Sequence, residues 1–308
     1  MLNIQERKLP MEEVCQSLNA LYVHIKQLLE EAGCDSPAFD ASCLLEAFFG
    51  AGRGELPLRG EERVSPQSYR PLLAAARERA DGRPLQYILG QWDFLDLTLS
   101  VGEGVLIPRP DTELLCETAA DLLRQAGAES PRVLDLCAGS GCVALGIARL
   151  LPVAEAVAVE LSEEALPYLR RNIERYPALP VTAVQADVLA CAVTPAAGLR
   201  PDLRPNSEAF DAVVSNPPYI PAADLPGLMR EVRREPRMAL DGGDGTVFYR
   251  AITGGWLSRL KPGGFCAVEV GIGQAEETAA LFRAAGLTGV GIRRDLGGVD
   301  RVVWGIKP

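Results

Sequence analysis

At 308 residues the chain is long enough for two domains, and 48% hydrophobic with 23% charged residues excludes a disordered chain. The 31 basic and 41 acidic residues leave a formal net charge of −10, which disfavours the broad phosphate neutralisation that nucleic-acid binding requires, so no nucleic-acid partner is expected. Met1 to Pro10 lacks the apolar core of a signal peptide, and no apolar run reaches the roughly 18 residues of a membrane span. A cytoplasmic protein without a membrane partner is the expectation.

From Pro10 to about Gly90, apolar residues recur at three- and four-residue steps (Leu18, Leu21, Tyr22, Ile25, Leu28, Leu29), which predicts a small helical domain over 1–90. Ser65-Pro66 or Ser68 starts its later helix. Residues 91–110 alternate apolar and polar side chains (Phe94, Leu95, Leu97, Leu99, Val101) and read as a hairpin-like linker. Asp111-Thr112-Glu113 then opens a helix with an acidic first turn.

Residues 111–308 form the third region. Strands are predicted at 132–136, 155–160, 181–186, 210–215 and 264–270, and helices at 142–151, 162–175, 246–260 and 274–285, with two further strands in 288–306. That alternation implies an α/β fold with a mostly parallel, doubly wound sheet and ligands at the carboxyl ends of its strands. The Pro- and Ala-rich stretch 191–209 reads as an exposed, dispensable loop. None of the eight cysteines forms a Cys-x-x-Cys pair and His24 is the lone histidine, so free thiols and no metal site are expected.

Two segments carry chemistry. Val133-Leu134-Asp135-Leu136-Cys137-Ala138-Gly139-Ser140-Gly141 is an apolar strand running into a Gly-rich turn, and Glu160 ends the next strand, placed to accept the hydroxyls of a ribose. Asp135, just before the turn, favours S-adenosylmethionine over a dinucleotide, because it can attract an amino group where a pyrophosphate would be repelled. Asp187 and Val188, past the third strand, are placed to meet an adenine ring. The second segment is Asn216-Pro217-Pro218-Tyr219 at the end of the apolar run 210–215. Consecutive prolines stiffen the loop and remove donors, so the Asn216 side-chain oxygen and the Pro217 carbonyl can accept the two hydrogens of an –NH₂ group while Tyr219 packs on its flat face.

Together with Gln86 to Gly90, Val105 to Glu113, Glu235-Pro236, Ala239 to Gly245 and Asp300 to Val303, these segments resemble the HemK/PrmC family of peptide chain release factor glutamine N5-methyltransferases over nearly the whole chain. The segment Pro108-Arg109-Pro110-Asp111-Thr112-Glu113 is the specific part, since Asn-Pro-Pro-Tyr also occurs in adenine methyltransferases. Ala138 stands where the family usually has Thr, and Glu160 where it usually has Asp.

The resemblance implies a Rossmann-like class I S-adenosylmethionine-dependent methyltransferase fold and transfer of a methyl group to the glutamine of a Gly-Gly-Gln loop in release factors. Cys137, Ala138, Gly139, Ser140, Gly141 and Asn216 would lie on the cofactor and Asn216, Pro217, Pro218 and Tyr219 on the glutamine, with the helical domain docking the partner. A glutamine of a ribosomal protein, or the N6 amino group of adenine, are the alternative acceptors.

Overall fold

In the computed structural model, which describes residues 14–193 and 200–308, the chain divides into two units between Leu89 and Gly90. The expectation for Met1 to Pro10 lies outside the described residues.

In the first unit Ser17 caps α1 (Leu18–Glu31), its hydroxyl accepting from Ala20 N at 3.2 Å, and Leu18, Leu21, Ile25 and Leu29 bury one stripe of that helix. α2 (Pro37–Phe49) ends at Gly50 in the left-handed region, and α3 (Pro66–Ala80) starts from Ser65 with Pro66 in its first turn. A buried ion pair at 2.7 Å joins Arg79 of α3 to Asp40 of α2. His24 is half-buried on α1.

The second unit begins with the hairpin β1 (Gln91–Phe94) and β2 (Leu97–Ser100). It packs into this unit: Phe94, Leu97 and Leu99 are buried in its core, and Tyr176 OH both accepts from Thr98 N (2.7 Å) and donates to Thr98 O (3.0 Å). α4 (Pro110–Gln125) follows, and its Glu113 accepts from Leu95 N at 2.8 Å.

The alternating elements are β3 (Arg132–Leu136), α5 (Cys142–Leu150), β4 (Glu155–Glu160), α6 (Leu166–Arg175), β5 (Val181–Gln185), α7 (Val188–Val193), β6 (Phe210–Ser215), α8 (Val247–Gly255), β7 (Leu260–Glu269), α9 (Ala275–Ala284), β8 (Thr288–Arg294) and β9 (Asp300–Ile306). They build one seven-stranded sheet in the order β8-β9-β7-β6-β3-β4-β5, in which β3 to β7 are parallel and β9 alone runs against them, pairing antiparallel with β7 on one side and with β8 on the other, so that β8 runs with the five. Both faces are covered, so the strands bury alternate residues on opposite sides. Val133, Ala156, Ala158, Ala212 and Val214 face the layer with α4 and α5, whereas Leu134, Leu136, Val157, Val159 and Val213 face α8 and α9. The chain reverses direction across the sheet between β3 and β6, so the carboxyl ends of these two strands flank the crevice where such folds bind ligands.

The stretch 191–209 departs from the expected loop where it is described. Cys191 and Leu203 are buried, and the buried Arg259 guanidinium donates to the carbonyls of both (3.0 and 2.9 Å) while stacking over Trp256. Asp202 pairs with Arg132 and Arg200. Pro and Ala content signalled irregular backbone, but that backbone is held by cations from elsewhere in the chain. β7 also starts four residues earlier than predicted, carrying Lys261-Pro262-Gly263-Gly264 within its first half.

Candidate active site

β3 leaves the sheet at Cys137, whose φ of +61° is a left-handed conformation that non-glycine residues seldom adopt. The turn is then locked. Ala138 N donates to Val159 O (3.0 Å), Gly139 N to Glu160 Oε2 (2.7 Å) and Gly141 N to Ala138 O (2.8 Å). Gly139 has φ +56° and open space where a Cβ would stand, while a Cβ on Gly141 would lie 2.5 Å from Leu169 Cδ1. Asn172 ties the turn to the hairpin, its amide nitrogen donating to Ser140 O (2.9 Å) and Ser100 O (3.1 Å).

A cavity of about 450 Å³ opens beside this turn. Cys137, Ala138, Gly139, Ser140, Glu160, Asp187, Val188, Asn216 and Pro218 all line it. Asp135, Gly141, Pro217 and Tyr219 are outside that lining. Asp135 is completely buried: Oδ2 accepts from Ala144 N at 3.1 Å and Oδ1 has no hydrogen-bond partner. Burial first, with the Glu160 charge adding and the Ala144 N–H opposing, pushes its carboxyl up to about 8. Asp187 Oδ1 accepts from Leu189 N (2.8 Å) and Ala190 N (3.2 Å), so this carboxylate caps the first turn of α7 while lining the cavity.

The Asn-Pro-Pro-Tyr loop is fixed from several sides. Ser215 Oγ donates to Leu136 O (2.6 Å), joining the ends of β6 and β3. Gln274 Nε2 donates to Tyr219 O (2.8 Å), and Gly242 N donates to Ile220 O (2.8 Å). A Cβ on Gly242 would stand 2.7 Å from Tyr219 Cα and 2.8 Å from Pro218 O, so this approach requires glycine. Asn216 Nδ2 donates to Thr112 Oγ1 at 2.9 Å, which commits the amide nitrogen and leaves the amide oxygen as acceptor. Tyr219 OH donates to Glu269 Oε1 at 3.4 Å.

Comparison with known proteins bears on what this crevice does. The PrmC N-terminal domain family matches residues 20–90, and a methyltransferase domain family matches 133–236. A release factor glutamine methyltransferase of Geobacter sulfurreducens is 40% identical over 90% of this chain and 92% of its own length. The chain belongs to the release factor glutamine methyltransferase family. A second member, from Caulobacter vibrioides, is 38% identical over 92% of this chain and 93% of its own. Among solved structures, the hMettl16 catalytic domain superposes with a TM-score of 0.51 at 15% identity, covering 77% of this chain and 82% of that one, a likeness of fold alone. The fold is that of a Rossmann-like class I methyltransferase.

Four side chains of this family member were missed as site residues in the sequence. Thr112, in the first turn of α4, lines the cavity and holds Asn216. Glu235 accepts from Ile107 N at 3.0 Å and pairs with Arg109, so one buried carboxylate ties the segment before α4 to the segment before Pro236, and Ile107, Arg109 and Pro236 all line the cavity. Gln274 and Glu269 hold Tyr219. The quoted motifs contained Thr112 and Glu235, yet nothing in spacing showed what each would touch. At the cavity, burial and then the Asp135 carboxylate push the Cys142 thiol up to about 12, which disfavours its thiolate. All described cysteines are free, with Cys15 exposed.

Proposed function

We propose that this protein transfers a methyl group from S-adenosylmethionine to the side-chain amide nitrogen of the glutamine in the Gly-Gly-Gln loop of peptide chain release factors. The observation that carries this reading is Asn216, an amide with its nitrogen committed to Thr112, in the wall of the cavity that the Gly139 turn also lines. Family membership supports the same substrate class.

The residues present fit the cofactor. About 450 Å³ lies within the usual range of small-molecule sites. Gly139 leaves room for close approach, and the unpartnered Asp135 Oδ1 is an acceptor suited to an amino group. In this reading Cys137 to Gly141 hold the methionine part, Glu160 the ribose, and Asp187 with Val188 the adenine. When bound, the cofactor supplies a methyl group on a sulfonium, an electrophile that needs no metal and no strong base.

The protein's own task is to prepare the nucleophile. An amide lone pair is shared with its carbonyl, so the Asn216 oxygen and the Pro217 carbonyl accept both N–H hydrogens and fix the –NH₂ plane, and Tyr219 packs on the side chain. Orientation of this kind supplies several kcal/mol of the barrier reduction. Held in this way, the substrate nitrogen would present its lone pair to the methyl group that a bound cofactor would supply, with its two hydrogens kept on the Asn216 oxygen and the Pro217 carbonyl. Release factors as partners imply a cytoplasmic protein that does not bind nucleic acid directly; among the described residues no helix is long and apolar enough to cross a membrane. Incubation with isotopically labelled cofactor and a release factor, read by mass spectrometry, tests the reading. Label is expected on the wild-type loop and not on a loop whose Gln is replaced by Ala; label on neither overturns it.

A further inference from the structure

The helical unit carries a cavity of its own, of about 310 Å³, lined by Asn19 and Tyr22 of α1, Ser42 of α2, and Arg53, Leu56 and Pro57 of the segment after α2. Backbone contacts set its walls. Asn19 and Tyr22 are neighbours on one face of α1, one turn apart. Asn19 N donates to Gly60 O at 2.9 Å, and the Asn19 side chain lies over Gly60, where a Cβ would stand 2.2 Å from its amide nitrogen. Gly52 O accepts from Glu55 N (3.2 Å) and Leu56 N (3.0 Å), which turns the chain at Arg53 and opens the single helical turn Leu56–Arg59.

Polar groups meet in this cavity without partners. Ser42 is only 8% exposed, yet its hydroxyl makes no hydrogen bond among the described residues. A hydroxyl buried in that way is costly unless something else binds it. Tyr22 OH and the Arg53 guanidinium also lack hydrogen-bond and ion-pair partners among the described residues. Asn19 Nδ2 gives one hydrogen to Glu61 Oε1 at 3.3 Å and keeps the other. One fixed cation, two hydroxyls and an amide N–H therefore converge on one space, a donor set that fits an anion.

Charge selects the anion. Glu61 stands against Asn19 and the chain carries −10 overall, so a doubly charged phosphate or a nucleic-acid backbone meets repulsion that one guanidinium does not offset. A carboxylate carries a single charge, pairs with a guanidinium through two parallel hydrogen bonds, and has lone pairs left for Tyr22 and Ser42. Leu58, in the same helical turn as Leu56 and Pro57, is 88% exposed, an apolar neighbour that suits a protein surface better than a solvated ion.

We propose that this cavity receives the carboxylate of an Asp or Glu side chain on the release factor. The partner rests on the proposed function, whereas the carboxylate rests on the cavity alone. None of its lining residues lines the crevice that contains Asn216, so the contact holds the factor and takes no part in methyl transfer.

The first arm of the test is an NMR titration of the full-length protein with the α-amide of N-acetylglutamate, the α-amide of N-acetylglutamine, and inorganic phosphate. The signals followed are the Arg53 Nε–H and the Asn19 side-chain NH₂. Saturable shifts with the glutamate compound and none with the glutamine compound are expected. Phosphate that binds as tightly as the glutamate compound overturns the choice of a carboxylate, and no saturable shift with any of the three overturns the site.

The second arm compares KM and kcat on an intact release factor and on a free Gly-Gly-Gln peptide. Arg53→Gln should raise KM for the factor about tenfold, and Arg53→Lys, a point charge without the planar fork, should recover only part of that. Ser42→Ala should raise the same KM about threefold. Arg53 makes no side-chain contact that folding would lose, so its variants should keep the wild-type melting temperature, kcat, and KM for the peptide within about twofold. An unchanged KM for the factor in Arg53→Gln overturns the proposal, as does an equal rise for factor and peptide. A wild-type protein that takes the glutamate compound at Arg53 but methylates no release factor overturns the partner through the proposed function and not through the cavity.

Discussion

The side chain of Asn216 gives its nitrogen to Thr112; under the proposed function its oxygen receives the incoming amide, so truncation removes an acceptor that matters most while the substrate nitrogen is reacting. Asn216→Ala should lower kcat by about 10²-fold or more while cofactor affinity changes little, a split that steady-state kinetics and calorimetry resolve together. Asp135 behaves differently because it is buried with one oxygen unpartnered. With its carboxyl raised from 3.8 to about 8, the folded protein keeps that proton, and the stability this contributes is lost as pH rises from 3.8 through 8. Asp135→Asn should flatten the fall in melting temperature across that window. If the amino group of the cofactor neutralises Asp135, binding should release a proton in the wild type and not in the variant, measured as a dependence of calorimetric enthalpy on the buffer.

Among the elements, the Asp241-Gly242-Gly243 segment runs beside Ile220 in a short parallel bridge and braces the Asn-Pro-Pro-Tyr loop. Gly242→Ala would press a methyl group onto backbone, where nothing can rotate away, so kcat should fall with the loop displaced even though the new side chain is small. Arg259 holds a different segment, donating to the carbonyls of Leu203 and Cys191. Arg259→Ala leaves the carbonyls of Leu203 and Cys191 without their donor and should cost about 3 kcal/mol or more, read from denaturant unfolding.

These two contacts also mark where sequence reading ends. β3, β4 and β6 were legible because each is a short apolar run closed by a Gly-rich turn, an acid or a Pro pair, and the cavity-lining positions of Gly139, Glu160 and Asn216 followed from strand order. Thr112 lies 104 residues from Asn216, and Glu269 ends an apolar run that reads as core, so neither could be joined to the site by periodicity. The stretch near Leu203 was misread for the same reason, since its anchor Arg259 is supplied from 56 residues away.

For the whole molecule, the division between Leu89 and Gly90 separates a helical unit from one that contains every cavity-lining residue named above. Under the proposed function the helical unit serves docking. A chain beginning at Gly90 should bind cofactor with wild-type affinity and methylate a free Gly-Gly-Gln peptide at a similar rate, but its KM for an intact release factor should rise by about tenfold or more. Equal KM values for the two chains would remove docking from that unit. The loop from Asn216 to Tyr219 is held by Thr112, Gln274, Gly242 and Glu269, from four different parts of the second unit, before any substrate arrives. Under the proposed function the protein thus bears the ordering entropy of this loop once, during folding, and a glutamine entering it meets a surface whose configurational cost has already been met.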